Sequence, residues 1–168
     1  NFPVIAEMSY FTRIAYASGS GTCVGFVALD DANTISKDFE PSLEALSELV
    51  PDINTTNTLF LSLMIIDQTV DNCGEILLKN AFESLPDLDH IVWIAPQAAH
   101  GPDFMTKLLP KMDLTQRGNI PKQDPLKGFK AFYASRDNYL PKLLVRGAVV
   151  EDNDDLLPIL QASNNTPA

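Results

Sequence analysis

Residues 58–66 read TLFLSLMII, residues 67–89 DQTVDNCGEILLKNAFESLPDLD, and residues 90–96 HIVWIAP. In the first run only Thr58 and Ser62 are polar. Such a run is too apolar for a half-exposed strand and too short for a membrane span, so it reads as a strand buried on both faces. His90–Ala95 repeats the pattern. Between them Ile76, Leu77, Ala81, Phe82 and Leu85 fall on one helical face, and Glu75, Lys79 and Glu83 stand four apart on the other. Strand, crossover helix and strand make a βαβ unit.

Working outward, 168 residues suffice for one ordinary domain with a core and a piece of a second. The missing initiator Met reads as a fragment of a longer chain. Hydrophobic residues at 45% and charged residues at 20% describe a globular sequence rather than a disordered one. No apolar run reaches the ~18 residues of a membrane helix and no signal peptide opens the chain, so the expectation is a soluble, intracellular protein. A net charge of −10 opposes nucleic-acid phosphates and leaves room for a basic protein partner. Cys23 and Cys73 cannot build a disulfide framework or a zinc site on their own, and they read as two small buried thiols in a reducing compartment.

Before the βαβ unit, Phe11–Ala17 and Thr22–Leu29 are β-rich runs joined by residues 18–21 (SGSG), which predicts a hairpin whose second strand has Val24, Phe26 and Ala28 on one face. Asp30–Glu40 reads as a loop. Pro41 then opens a short amphipathic helix with Leu43, Leu46 and Leu49 or Val50 inward, and Pro51 stops it.

After the unit, Pro96–Pro102 reads as a loop and Asp103–Leu109 as a helix capped by Asp103, with Phe104 and Leu108 inward and Pro110 limiting it. Gln116–Lys127 has the composition of a long connection. Phe129–Ser135 and Leu143–Val150 read as two final strands. Glu151–Asp155 then supplies acids to a helix start followed by Leu156, Leu157 and Leu160, and Gln161–Ala168 reads as a loose tail. The expected class is α/β, a mixed sheet flanked by helices with a central βαβ unit.

This order of elements resembles the GNAT acyltransferase fold. At finer grain residues 57–60 (NTLF), Gly74–Leu78 with Ser84–Pro86, residues 118–121 (GNIP) and residues 145–159 (VRGAVVEDNDDLLPI) resemble the N-terminal region of the cilia- and flagella-associated protein 61 family, over roughly residues 55–160. The resemblance implies a structural subunit of the calmodulin- and spoke-associated complex. That complex sits at the base of a radial spoke in the axoneme and ties spokes to the microtubule doublet and to dynein regulation. The implied partners are the other subunits of that complex and radial spoke proteins. Calmodulin would bind through other regions, since no basic amphipathic helix of the calmodulin-target kind occurs here. Neither nucleic acid nor membrane is an expected partner. The resemblance also divides the chain, with residues 1–142 as a GNAT-like domain lacking its first strand and helix. Residues 143–168 would be the start of a second such unit, or a sheet-completing strand plus tail.

In an active GNAT enzyme the turn after the buried strand carries a pattern like Arg/Gln-x-x-Gly-x-Gly/Ala, whose backbone amides at a helix N-terminus hold the acyl-CoA pyrophosphate. Here only Gln68, Asn72 and Gly74 remain as vestiges, and the turn looks about two residues short. Asn72 and Glu75 read as a capping-box pair that occupies the amides. Asp67, Asp71 and Glu75 surround the phosphate position with no Lys or Arg between Asp67 and Leu78. Unit charges ~5 Å apart repel by about 1 kcal/mol in water and more at lower dielectric, so the expectation is no cofactor and no catalysis.

Elsewhere His90, His100 and Trp93 read as ordinary polar or core residues rather than ligands. Tyr133 reads as a half-buried strand tyrosine in preference to an acyltransferase acid. Glu151–Asp155 lacks the sixth-position glycine of a calcium loop and reads as a helix start. The glycosylation sequons at Asn54 and Asn164 are patterns only. Three function classes follow: a silent docking domain, a working acyl-CoA-dependent N-acyltransferase whose site is completed by other segments, and a small-molecule sensor on the splayed sheet.

Overall fold

The structure, a computed structural model, describes residues 2–32, 43–47, 50, 52–98, 103–111, 128–140, 146–147 and 149–164. Helix α1 (Phe2–Met8) leads into β1 (Phe11–Tyr16) and β2 (Cys23–Asp30), the expected hairpin. Then come α2 (Leu43–Ser47), β3 (Thr58–Ile66), α3 (Cys73–Ser84), β4 (His90–Pro96), α4 (Asp103–Leu108), β5 (Phe129–Ser135) and α5 (Arg136–Tyr139). A 3₁₀ turn (Val150–Asp152) and α6 (Asn153–Asn164) follow.

The strands form one five-stranded sheet in the order β1-β2-β3-β4-β5. Pairing is antiparallel except between β3 and β4, which run parallel. Parallel neighbours need a crossover, and α3 supplies it, so the βαβ reading of residues 58–96 stands.

Burial on both faces holds for only the first half of β3. Thr58–Leu61 are buried, whereas Ser62 and Ile65 are exposed. The reason lies in pairing: β3 and β4 share only Thr58↔His90, Leu59↔Ile91 and Phe60↔Val92, and beyond them β3 pairs with β2 and β4 with β5. The two parallel strands therefore part halfway along their length. The strand buried throughout is β2, whose Val24–Asp30 are covered on both faces.

Two apolar clusters hold the sheet. On one face Leu77, Leu78, Ala81 and Phe82 of α3 pack with Val27, Leu29, Leu61, Ile91 and Leu109. On the other Leu46 of α2 packs with Ile53, Phe60, Val92 and Ala131. Leu43 and Val50 pack beside Leu46, as the reading of that helix required. Burial of large side chains at about 1.5–3 kcal/mol each is the main attractive term for such a sheet. Ile76, expected inward, is 59% exposed, and Cys73, Gly74 and Leu78 take the buried stripe with Leu77, Ala81 and Phe82. At about 100° per residue Ile76 stands a full step off that stripe. Cys73 is buried as expected, but Cys23, at the open end of β2, is exposed.

The N-terminal helix α1 carried no sequence signal strong enough to predict it. It is pinned by Asp30, a buried carboxylate that accepts from Ser62 Oγ, from Ser9 Oγ at 3.4 Å and from the Tyr10 N–H at 3.2 Å. Each donor satisfies an oxygen that burial would otherwise penalise.

The C-terminal expectations need correction. Arg146, Gly147 and Val149 belong to no strand and Val150 opens the 3₁₀ turn, while residues 143–145 and 148 lie outside the described residues. Arg146 and Asp152 close a bidentate ion pair across this turn, and Asp152 also accepts from the Val149 N–H at 2.9 Å, which folds the stretch back on itself where a strand must extend. Gln161–Asn164, expected as loose tail, continue α6, because Gln and Ala extend a helix at little cost. Leu49, His100 and the 116–127 connection lie outside the described residues.

Candidate functional site

The place to build from is the turn between β3 and α3. At the end of β3 the Asp67 N–H donates to Val24 O at 2.7 Å, which keeps the departing chain on β2. The Asp67 carboxylate then accepts from the Thr69 hydroxyl at 2.7 Å and the Thr69 N–H at 2.9 Å, an Asx turn. These bonds, the hydroxyl first, hold the Asp67 carboxyl below its ordinary range.

The capping box expected at Asn72 and Glu75 does not form. Asn72 has a left-handed backbone, φ 59°, and makes no side-chain cap hydrogen bond. A cap residue normally has extended backbone to bring its side chain over the first amides; the left-handed turn at Asn72 gives that geometry up. Its carbonyl instead accepts the Ile76 N–H at 2.9 Å and so opens α3.

Packing, rather than capping, occupies this helix start. Gly74 is buried, and a Cβ built on it would lie 2.4 Å from Leu108 Cδ1. The absent side chain of Gly74 is thus the space into which α4 presses Leu108. Leu108 is held in turn, since its carbonyl accepts the Tyr139 hydroxyl at 2.8 Å and Tyr139 leans on Phe82 with ring centroids 5.6 Å apart. Burial, with the Glu75 charge adding to it, pushes the Tyr139 phenol up to about 12. On the sheet side Gly25 plays the same part, because a Cβ there would meet Cys73 Sγ at 2.6 Å. Burial, then the Asp67 charge, raises the Cys73 thiol above its ordinary value.

Of the three vestigial positions, then, Gln68 and Asn72 are exposed and Gly74 is enclosed. Asp67, Asp71 and Glu75 are all exposed around the same turn, and Lys79, the next cation along α3, points to Glu83 at 4.0 Å. The involvement of Leu108 and Tyr139 was invisible in the sequence, because both lie far along the chain from Gly74; only the docking of α4 and α5 onto α3 brings them there.

The other singled-out residues fall into place around the sheet. Trp93 is half-buried and stacks on Phe132 at 5.1 Å. Tyr133 is a half-buried strand tyrosine whose N–H donates to Pro110 O at 3.0 Å. Met105 and Leu109, rather than Phe104 and Leu108, are the most buried side chains at α4. Asn54 of the first sequon spends its carbonyl on Thr56 and Asn57.

His90 is less ordinary than its sequence setting suggested. Its Nδ1 is buried without a hydrogen-bond partner. Burial lowers its pKa against the opposing pull of Asp89, Asp52 and Asp137, carboxylates that two loops and α5 bring to one end of the sheet. With Ser135 and Arg136 they line a cavity of about 230 Å³. Arg136 ties this end together, donating to Leu88 O at 2.8 Å and to Leu85 O and pairing with Asp89 at 3.5 Å. Among the described residues no group of three His, Cys, Asp or Glu is placed to hold a metal ion, and no helix is long and apolar enough to cross a membrane.

At the same end lies a larger groove of about 350 Å³ lined by Tyr10, Asp31, Thr55, Thr56, Leu59 and Leu85–Leu88. It opens at the starts of β3 and β4, the end of the sheet opposite to the α3 helix start.

A mixed sheet with an antiparallel meander, a parallel pair that parts midway and a crossover helix defines a GNAT-like α/β domain. The profile of the family described as "Cilia- and flagella-associated protein 61, N-terminal domain" matches residues 14–167, and the chain belongs to that family. The match begins well before residue 55, so it takes in most of the hairpin as well as the βαβ unit. Among solved structures, the chain is similar to the GNAT family N-acetyltransferase YhbS from Escherichia coli in complex with CoA, at 12% identity and a TM-score of 0.39 over 81% of this chain. This chain spans 65% of that one. It is also similar to the C-terminal condensation domain of Ebony in complex with beta-alanyl-dopamine, at 11% identity and a TM-score of 0.39 over 80% of this chain and 76% of that one. These distant likenesses say nothing about the reaction or ligand of this chain.

Proposed function

We propose that this chain is a non-catalytic structural and interaction domain of the axonemal complex at the radial-spoke base, the calmodulin- and spoke-associated complex, and that it supports ciliary motility by docking neighbouring subunits and spoke proteins. Family membership supports the ciliary setting. The observation that carries the non-catalytic part is the α3 helix start, where Leu108 fills the space over Gly74 and three acids stand at the turn. Acyl-CoA held there would need bare amides in reach and cations to offset its phosphates. Residues 143–168 would in this reading begin a second GNAT-like unit. Calorimetric titration with acetyl-CoA tests the proposal: no heat of binding is expected up to millimolar ligand, and micromolar affinity would sink it.

A second reading, an acyl-CoA-dependent N-acyltransferase, is favoured by the parting of β3 from β4 after Phe60 and Val92. An opening between parallel strands is where the fold's enzymes admit their cofactor. It predicts measurable acetyl transfer from acetyl-CoA to amines, and an absence of turnover would remove it.

A further inference from the structure

We draw no further inference here: the strongest candidate, the edge of the sheet at β1 where the Ile14 and Tyr16 side chains are exposed, carries nothing because nothing among the described residues shows what covers it.

Discussion

Replacing Gly74 by alanine tests whether the α3 helix start is enclosed by packing. Gly74 is helical and does not have a positive φ, so alanine there should gain up to about 1 kcal/mol of helix propensity. Against this stands the 2.4 Å separation between the new Cβ and Leu108 Cδ1, where carbon atoms prefer about 3.5–4.0 Å. To make room the half-buried Leu108 side chain has to turn aside and give up part of its packing against the core cluster. Overpacking of this kind costs about 1–3 kcal/mol, so Gly74→Ala alone should destabilise the domain by about 1–2 kcal/mol. In a Leu108→Ala background the obstacle is gone, and the same substitution should become neutral or stabilising. Urea denaturation of the four proteins in a double-mutant cycle reads the coupling, expected at about 2 kcal/mol. Equal effects of Gly74→Ala in both backgrounds would refute the enclosure, and with it the main support for a silent phosphate turn.

Three further outcomes follow from the same structure. Asp30→Ala should cost about 1–3 kcal/mol, by removing the charged acceptor shared by Ser62 Oγ, Ser9 Oγ and the Tyr10 N–H, and should make the α1 segment an early site of limited proteolysis. Arg136→Met should lose the donors to Leu85 O and Leu88 O, the ion pair with Asp89 and the cation–π contact with Phe82, lowering denaturant stability by about 2–3 kcal/mol. His90 has a folded pKa below its ordinary 6.5, so the unfolded chain takes up the proton first as pH falls; stability should therefore be unaffected above about pH 7.5 and decline below 6.5, and His90→Gln should flatten that decline in denaturation curves at about pH 7.5 and 5.5.

What the chain order made legible was whatever depends on neighbours in sequence. An apolar run of nine residues, helical periods near 3.6 and the SGSG turn sufficed to read the hairpin, the βαβ unit and the apolar face of α2, while Pro41 and Pro51 lie outside the described residues. The errors came where a local rule met a tertiary one. Asn72 carries a cap residue's chemistry, yet the path from β3 to α3 imposes a left-handed turn that takes its side chain away from the amides. Ile76 has the hydrophobicity of a core residue but stands off the stripe that the sheet selects. Residues 143–150 have strand composition, and the Arg146–Asp152 pair folds their end into a turn.

The α3 helix start shows the division most clearly. Residue types and spacing alone determined that Asp67, Asp71 and Glu75 surround one glycine with no cation nearby, since charge and helix phase are properties of the chain itself. That Leu108 occupies the space over Gly74, that Tyr139 holds Leu108 there, and that aspartates from separate segments gather at the far end of the sheet were decided by tertiary structure. Those contacts depend on how helices and loops distant in sequence come together on the sheet, and no local pattern encodes that distance.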